Sequence, residues 1–195
     1  MTLKESRAID ACVRELVPLG FVDRGDGILL REGSGGVSEW LGLAASLNVQ
    51  PGAVAVNPVV GVRDENIEQV VRDIISADVQ FVTSTIVIPV AELNPTLLPY
   101  SWIFADGDFE STARDLVRLV EAYGFPWMGA HSSTASIADV LKRKNRTLDE
   151  SERLAIAYGI IGDIGAMEAV LLGLLSAEPE FELEFVAKMR SRFSV

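Results

Sequence analysis

Residues 21–31 read FVDRGDGILLR, and this short stretch decides the fold. Two short strand candidates, 21–24 and 28–31, flank Gly25-Asp26-Gly27, whose residue types supply the positive φ angles of a tight hairpin. The next strand candidate is Val37–Val49, and over residues 54–62 four valines alternate onto one face of a following strand. These four strands predict an antiparallel meander.

Helical periodicity surrounds the predicted meander. Thr2 and Glu5 form a capping box before a helix over 3–17, and Asp64 precedes an apolar stripe that predicts a helix over 65–76. Two more strands follow at 85–90 and 101–105, and further helices are predicted at 109–124, 133–144, 147–176 and from 179 onward. The sequence therefore predicts an α+β fold, a mainly antiparallel β-meander sheet flanked by helices, with a helical C-terminal half packed on it.

The length of the chain fits one folding unit. At 195 residues, it falls near the upper end of ordinary domain sizes. No Gly/Ser-rich linker separates the strand-bearing part from the helical part. We therefore predict a single domain over 1–195, with a sheet-containing half at 1–108 and a helical half at 109–195.

The charge of the chain favours some partners over others. The 17 Lys and Arg against 28 Asp and Glu give a net charge of −11, which repels nucleic acid and anionic lipid surfaces and attracts basic proteins. The one dense basic cluster, Lys142, Arg143, Lys144 and Arg146, lies where a helix is predicted to end, and cations there complement the helix dipole. We interpret this cluster as a solvated helix end, with a nucleic-acid or phosphate site as the alternative, and we expect no nucleic-acid partner.

Cysteine content and the N-terminal pattern predict a compartment. Cys12 is the only cysteine, so no disulfide can form within the chain. Residues 2–16 mix charges into a helical pattern and lack the apolar run of a secretory signal. Hydrophobic residues make up 49% of the chain, which is enough apolar surface for it to fold around a buried core. We expect a soluble, cytoplasmic protein.

The apolar stretch 154–175 contains two charged residues, Asp163 and Glu168. Two carboxylates in its middle disfavour membrane insertion, so we predict a central core helix and no membrane association. Gly159, Gly162 and Gly165 recur at i, i+3 spacing on that helix and would let another backbone approach closely. This spacing suggests a homodimer as one possibility, with packing inside the monomer as the other.

His131 is the only histidine and is followed by two serines, Ser132 and Ser133. A hydrolase built on it would need one serine as nucleophile and a carboxylate such as Asp106 or Asp108. No GxSxG elbow is present, and the simpler interpretation is a loop histidine before a helix that Ser132 or Ser133 caps. No zinc-ligand or EF-hand spacing occurs, so we expect no metal and no cofactor.

Three functional hypotheses remain, in this order. The first is a non-catalytic, acidic binding protein, of the inhibitor or immunity type, that covers a basic partner with an exposed aromatic such as Trp40 or Trp102 at the centre. The second is a small-molecule binder whose apolar cleft is lined by Tyr100, Trp102 and Trp127. The third is a hydrolase centred on His131, so the sequence favours a protein that is not an enzyme.

Overall fold

A computed structural model describes residues 2–46, 52–75, 82–94, 102–105, 108–177 and 179–193. The chain divides into two compact units. Unit 1 comprises residues 1–34, 38–62 and 87–130, and unit 2 comprises residues 35–37, 63–86 and 131–195. The prediction of a single domain over 1–195 stays a prediction.

Unit 1 contains most of the sheet and the helices around it. Its strands are β1 (Val22–Gly25), β2 (Ile28–Arg31), β3 (Val37–Ser46), β4 (Val54–Asp64), β5 (Ile86–Pro89) and β6 (Trp102–Phe104). The first residue of β3, the last two residues of β4 and the first residue of β5 are assigned to unit 2. The helices of unit 1 are α1 (Leu3–Leu16), α3 (Val90–Leu93), α4 (Phe109–Leu119) and α5 (Phe125–Ala130).

The six strands form one sheet in the order β1-β2-β3-β4-β5, and β6 pairs with β4. The β1–β2, β2–β3 and β4–β6 pairs are antiparallel, which confirms the predicted α+β class with an antiparallel sheet. The hairpin turn takes positive φ at Gly25 (89°), Asp26 (52°) and Gly27 (75°). At Gly27 a side chain is also excluded by space, because a Cβ there would lie 2.7 Å from the Leu43 carbonyl oxygen.

The core of unit 1 lies between the sheet and α1, which packs on α4. Leu29 and Leu41 face inward and are fully buried, as are Cys12 and Leu16 of α1. The capping box predicted for α1 is present, with the Glu5 carboxylate accepting from the Thr2 amide at 2.6 Å. A satisfied first turn and a buried stripe together stabilise this helix against the sheet.

The helix that begins at Phe109 does not end at Gly124, so that detail of the prediction is wrong. It passes through one wider π turn, Val120–Gly124, and runs on into α5. A Cβ at Gly124 would lie 2.8 Å from Cγ1 of Val60 in β4. The glycine there makes room for the strand and does not act as a helix stop.

Unit 2 is mainly helical. It contains α2 (Glu65–Ile75), α6 (Thr134–Leu141), α7 (Leu148–Ile161), α8 (Ile164–Ala177) and α9 (Pro179–Phe193). The helix α7 packs on α2, α6 and α8, and α9 packs on α2 and α8. The C-terminal part of the chain is therefore helical, as predicted.

The single helix predicted over 147–176 is in fact two helices. Gly162 has φ 81° and caps the C-terminus of α7, after which the Asp163 carboxylate accepts a hydrogen bond from Ala166 N at 3.1 Å in the first turn of α8. A left-handed glycine followed by an aspartate is a stop and start signal. Gly159 is packed within unit 2, since a Cβ there would lie 2.7 Å from the Phe193 ring.

Candidate functional site

Two of the three predicted cleft aromatics, Trp102 and Trp127, lie in unit 1. Tyr100 lies outside the described residues. Trp102 begins β6 opposite Val56 of β4, and Trp127 lies in α5; both side chains are half-buried. The aromatic-cleft hypothesis therefore stays a prediction.

His131 precedes α6 and is half-buried. Ser133 is the N-cap of α6, and its hydroxyl accepts from Ser136 N at 3.2 Å and lies 2.9 Å from the Ser136 hydroxyl. This confirms the predicted helix cap and shows what the Ser133 hydroxyl does. Asp106 lies outside the described residues, and Asp108 accepts a hydrogen bond from Ser111 at the start of α4. The hydrolase hypothesis stays untested.

Metal-binding clusters and membrane-length helices are both missing from the described part of the chain. It contains no group of three or more His, Cys, Asp or Glu side chains placed to hold a metal ion. None of the helices within these ranges combines the length and the hydrophobicity that a membrane span requires.

One apolar surface of unit 1 lies on the side of the sheet that faces away from Leu29 and Leu41. The registers place Val22 of β1 opposite Leu30 of β2, and Leu30 opposite Trp40 of β3. Directly opposed side chains in an antiparallel pair lie about 4.5–5.5 Å apart at Cβ, so the three form a row across the strands. We call this row, with Ile28 beside it, the Trp40 face.

The side chains of the Trp40 face are accessible. Val22 is 53% exposed, and Ile28, Leu30 and Trp40 are each half-buried. The indole of Trp40 lies flat along β3, because the next residue on that face is Gly42, where a Cβ would fall 2.4 Å from the ring. Three apolar residues in succession, 28–30, were the sequence signal for this surface, since neighbours in a strand point to opposite faces.

Unit 2 holds a buried polar network. Asp64 is fully buried, and its carboxylate accepts from Asn66 N at 2.9 Å in the first turn of α2 and from the Thr134 hydroxyl at 2.5 Å. Asp64 N donates to the Thr85 hydroxyl at 2.9 Å, and that hydroxyl donates to Glu68 at 2.9 Å. The network connects the start of α2 to residues distant in sequence.

The centre of this network is a buried ion pair. Arg153 of α7 donates to both carboxylate oxygens of Glu68, at 2.9 and 3.2 Å, and only 8% and 4% of the two side chains are exposed. The third nitrogen, Nη1, lies against the Asp149 carboxylate but makes no well-directed hydrogen bond. Burial alone would lower the pKa of Arg153, but Glu68 and Asp149 outweigh it and raise the pKa. The guanidinium is therefore permanently charged and serves to join α7 to α2.

A surface pocket of about 360 Å³ lies elsewhere in unit 2. One side is formed by the segment between α6 and α7 and the first turn of α7, and the other side by α8. Polar residues just before and at the start of α7 line one part of the pocket, and apolar residues of α7 and α8 line the other. The polar residues are Lys144, Arg146, Thr147 and Ser151, and the apolar residues are Leu148, Val170, Gly173, Leu174 and Ala177.

The basic cluster of residues 142–146 is divided by the fold. Lys142 pairs with Asp139 at 2.6 Å, and Arg143 pairs with Glu150, so these two behave as the solvated helix end predicted for the cluster. The other two cations, Lys144 and Arg146, line the pocket. The sequence interpretation missed this difference because the opposite wall comes from α8, about 30 residues further on.

Known proteins give no guide to the function. No family model, no curated protein and no solved structure matches this chain. The Trp40 face and the pocket are therefore the two surfaces of the described residues that suggest a function.

Proposed function

We propose that this chain is a non-catalytic binding protein that covers a basic protein partner with its Trp40 face. The observation that carries the proposal is the row of Val22, Leu30 and Trp40 across three strands, accessible on the side of the sheet opposite the unit 1 core. Aromatic anchors surrounded by aliphatic side chains are typical of the energetic centre of protein interfaces.

Charge supports a basic partner over a neutral one. The chain has a net charge of −11, and exposed carboxylates stand at both ends of β2, at Asp26 in the hairpin turn and at Glu32 directly after the strand. An apolar row beside exposed carboxylates, in a chain of this net charge, matches a partner whose Lys and Arg side chains surround an apolar patch. Charge complementarity of this kind speeds association and makes it sensitive to salt.

The first experiment is affinity purification of the native protein from the cells that produce it, followed by mass spectrometry. The captured protein is then purified, and its Kd for the chain is measured by calorimetry at low and high salt. We expect a stoichiometric partner with net positive charge whose affinity falls as salt rises.

Two variants locate the interface. Val22→Lys places a cation in the Trp40 face, and we expect it to weaken binding at least about tenfold, the equivalent of about 1.4 kcal/mol. Leu172→Lys is the matched control, because Leu172 lies in unit 2 and is similarly exposed, 56% against 53% for Val22. An acidic or neutral partner, or equal weakening by both variants, contradicts the proposal.

A second copy of the chain is the other possible occupant of the Trp40 face. Light scattering distinguishes it, since a dimer that Val22→Lys converts to a monomer would make the face a self-association surface. That result would overturn the proposal of a basic partner. A monomer at micromolar concentration, together with the basic partner, supports it.

A further inference from the structure

The pocket of unit 2 combines cationic and apolar side chains. Lys144 and Arg146 stand on one side, while Val170 and Leu174 of α8 supply apolar surface on the other. Cations beside an apolar wall suit an amphiphilic anion, whose charged head and apolar part each find a complementary surface.

Of the two cations, Arg146 is fixed in position. Its Nε donates to the Ser151 hydroxyl at 2.9 Å, and Ser151 in turn donates to the Thr147 carbonyl at 2.9 Å. Ser151 is buried, with 9% of its surface exposed, so the guanidinium is anchored to the first turns of α7. A guanidinium held in this way loses little conformational entropy when it binds an oxyanion.

Lys144 supplies the mobile charge. It is exposed, and it pairs with no carboxylate among the residues that the structure describes, whereas its neighbours Lys142 and Arg143 are both paired. An ammonium on a flexible stem reaches an anion from several directions. In a chain of net charge −11, two cations at one pocket that pair with none of the described carboxylates make a local exception to the overall negative charge.

The N-terminus of α7 already uses backbone N–H groups within its own capping box. Its capping box is complete, with the Thr147 hydroxyl accepting from Glu150 N at 3.2 Å and the Glu150 carboxylate accepting from Thr147 N at 2.8 Å. The anion-binding capacity of the pocket therefore comes from side chains.

We propose that the pocket lined by Lys144, Arg146, Val170 and Leu174 binds a small organic oxyanion, a carboxylate or phosphate head with a compact aliphatic or aromatic group. The head lies between the two cations, and the apolar group covers the α8 wall. A volume of about 360 Å³ is at the lower end for ligand sites, so the ligand is smaller than a typical cofactor. This proposal is independent of the Trp40 face.

The test is to titrate small-molecule probes into the whole ¹⁵N-labelled protein and to monitor its amide resonances by NMR. The probes are hexanoate and phenyl phosphate as amphiphilic anions, inorganic phosphate as a head alone, and hexanol as an apolar group alone. We expect at least one amphiphilic anion to bind about tenfold or more tighter than both phosphate and hexanol. The shifted amides should lie in 144–151 and 170–177, and the better of the two anions identifies the preferred head.

Three variants separate a built site from general attraction to positive charge. Lys144→Gln removes a cation from the pocket, and Lys142→Gln removes the neighbouring lysine, which does not line it. Gly173→Leu fills the pocket from α8, where a Cβ meets no atom within 4 Å, so the helix accepts the side chain. We expect Lys144→Gln and Gly173→Leu each to weaken binding about tenfold, and Lys142→Gln to leave it unchanged.

Three results would overturn the proposal. One is that neither amphiphilic anion binds better than inorganic phosphate and hexanol. Another is equal weakening by Lys142→Gln and Lys144→Gln, which indicates attraction to the basic segment as a whole. The third is tight binding that Gly173→Leu does not change while its far-UV spectrum shows an intact fold.

Discussion

Removing one partner of the buried Glu68–Arg153 pair should destabilise unit 2 strongly. In Arg153→Met the Glu68 carboxylate, 4% exposed, keeps the Thr85 hydroxyl as its hydrogen-bond donor and loses the bidentate guanidinium. Leaving a buried charge without its counter-ion costs about 3–5 kcal/mol in proteins. We expect a loss of this size in the free energy of unfolding at pH 7, measured by urea denaturation with circular dichroism.

The double variant Glu68→Leu/Arg153→Met tests the cause. It removes both charges, so the desolvation penalty disappears, and the remaining cost is the Thr85 hydroxyl without an acceptor, about 1–3 kcal/mol. We therefore expect the double variant to be more stable than Arg153→Met alone. In a double-mutant cycle the two sites should show a coupling of about 2 kcal/mol or more.

A matched control exists in the same unit. Arg190 donates to both carboxylate oxygens of Glu168 in the same bidentate manner, but this pair is more exposed, with 39% and 24% of the two side chains accessible. Arg190→Met should therefore destabilise far less than Arg153→Met, because water replaces the lost partner. Equal losses from the two arginine variants, or additive losses at Glu68 and Arg153, would refute the argument from burial.

Three shorter predictions concern packing, pH and reactivity. Gly159→Ala should lower the free energy of unfolding by about 1–3 kcal/mol, because the new Cβ would overlap the Phe193 ring. Gly173→Ala should raise the free energy of unfolding by about 0.5–1 kcal/mol, because the new Cβ meets no atom within 4 Å. The hydrogen bond from Arg190 lowers the pKa of Glu168 in the folded protein. The pair therefore stabilises the folded state at pH values above the ordinary Glu pKa of about 4.3, and this stabilisation is lost as the pH falls through the lowered pKa of Glu168. Thermal midpoints of wild type and Glu168→Gln should thus differ at pH 7 and converge in acid; a constant difference contradicts the sign. Burial raises the pKa of Cys12 to about 12, so the native thiol should resist a disulfide reagent at pH 8 and react fully in urea.

Local hydrogen bonds made much of the secondary structure predictable. The capping boxes at Thr2 and Thr147, the cap at Ser133 and the Gly25–Gly27 turn each involve residues within about three positions of one another. Such signals are visible in the sequence because the donor, the acceptor and the backbone geometry belong to the same short segment. The α+β class with an antiparallel sheet followed from them.

Glycine was the residue type whose role the sequence left open. Gly124 suggested a helix end, yet the helix continues and the missing side chain accommodates Val60. Gly162 was assigned to a helix interior, yet it takes φ 81° and ends α7. Whether a glycine is used for its φ angle or for its lack of a Cβ depends on what lies beside it, which periodicity does not report.

The sequence by itself determined where most helices and strands begin, the hairpin, and the charge that favours a basic partner. Only the tertiary structure paired Glu68 with Arg153, 85 residues away, and placed Lys144 and Arg146 opposite the wall of α8. It also aligned Val22, Leu30 and Trp40 into one row, because the register of three strands sets which side chains meet. Short-range hydrogen bonds can be predicted from neighbouring residues, whereas binding surfaces and buried ion pairs depend on how distant segments pack.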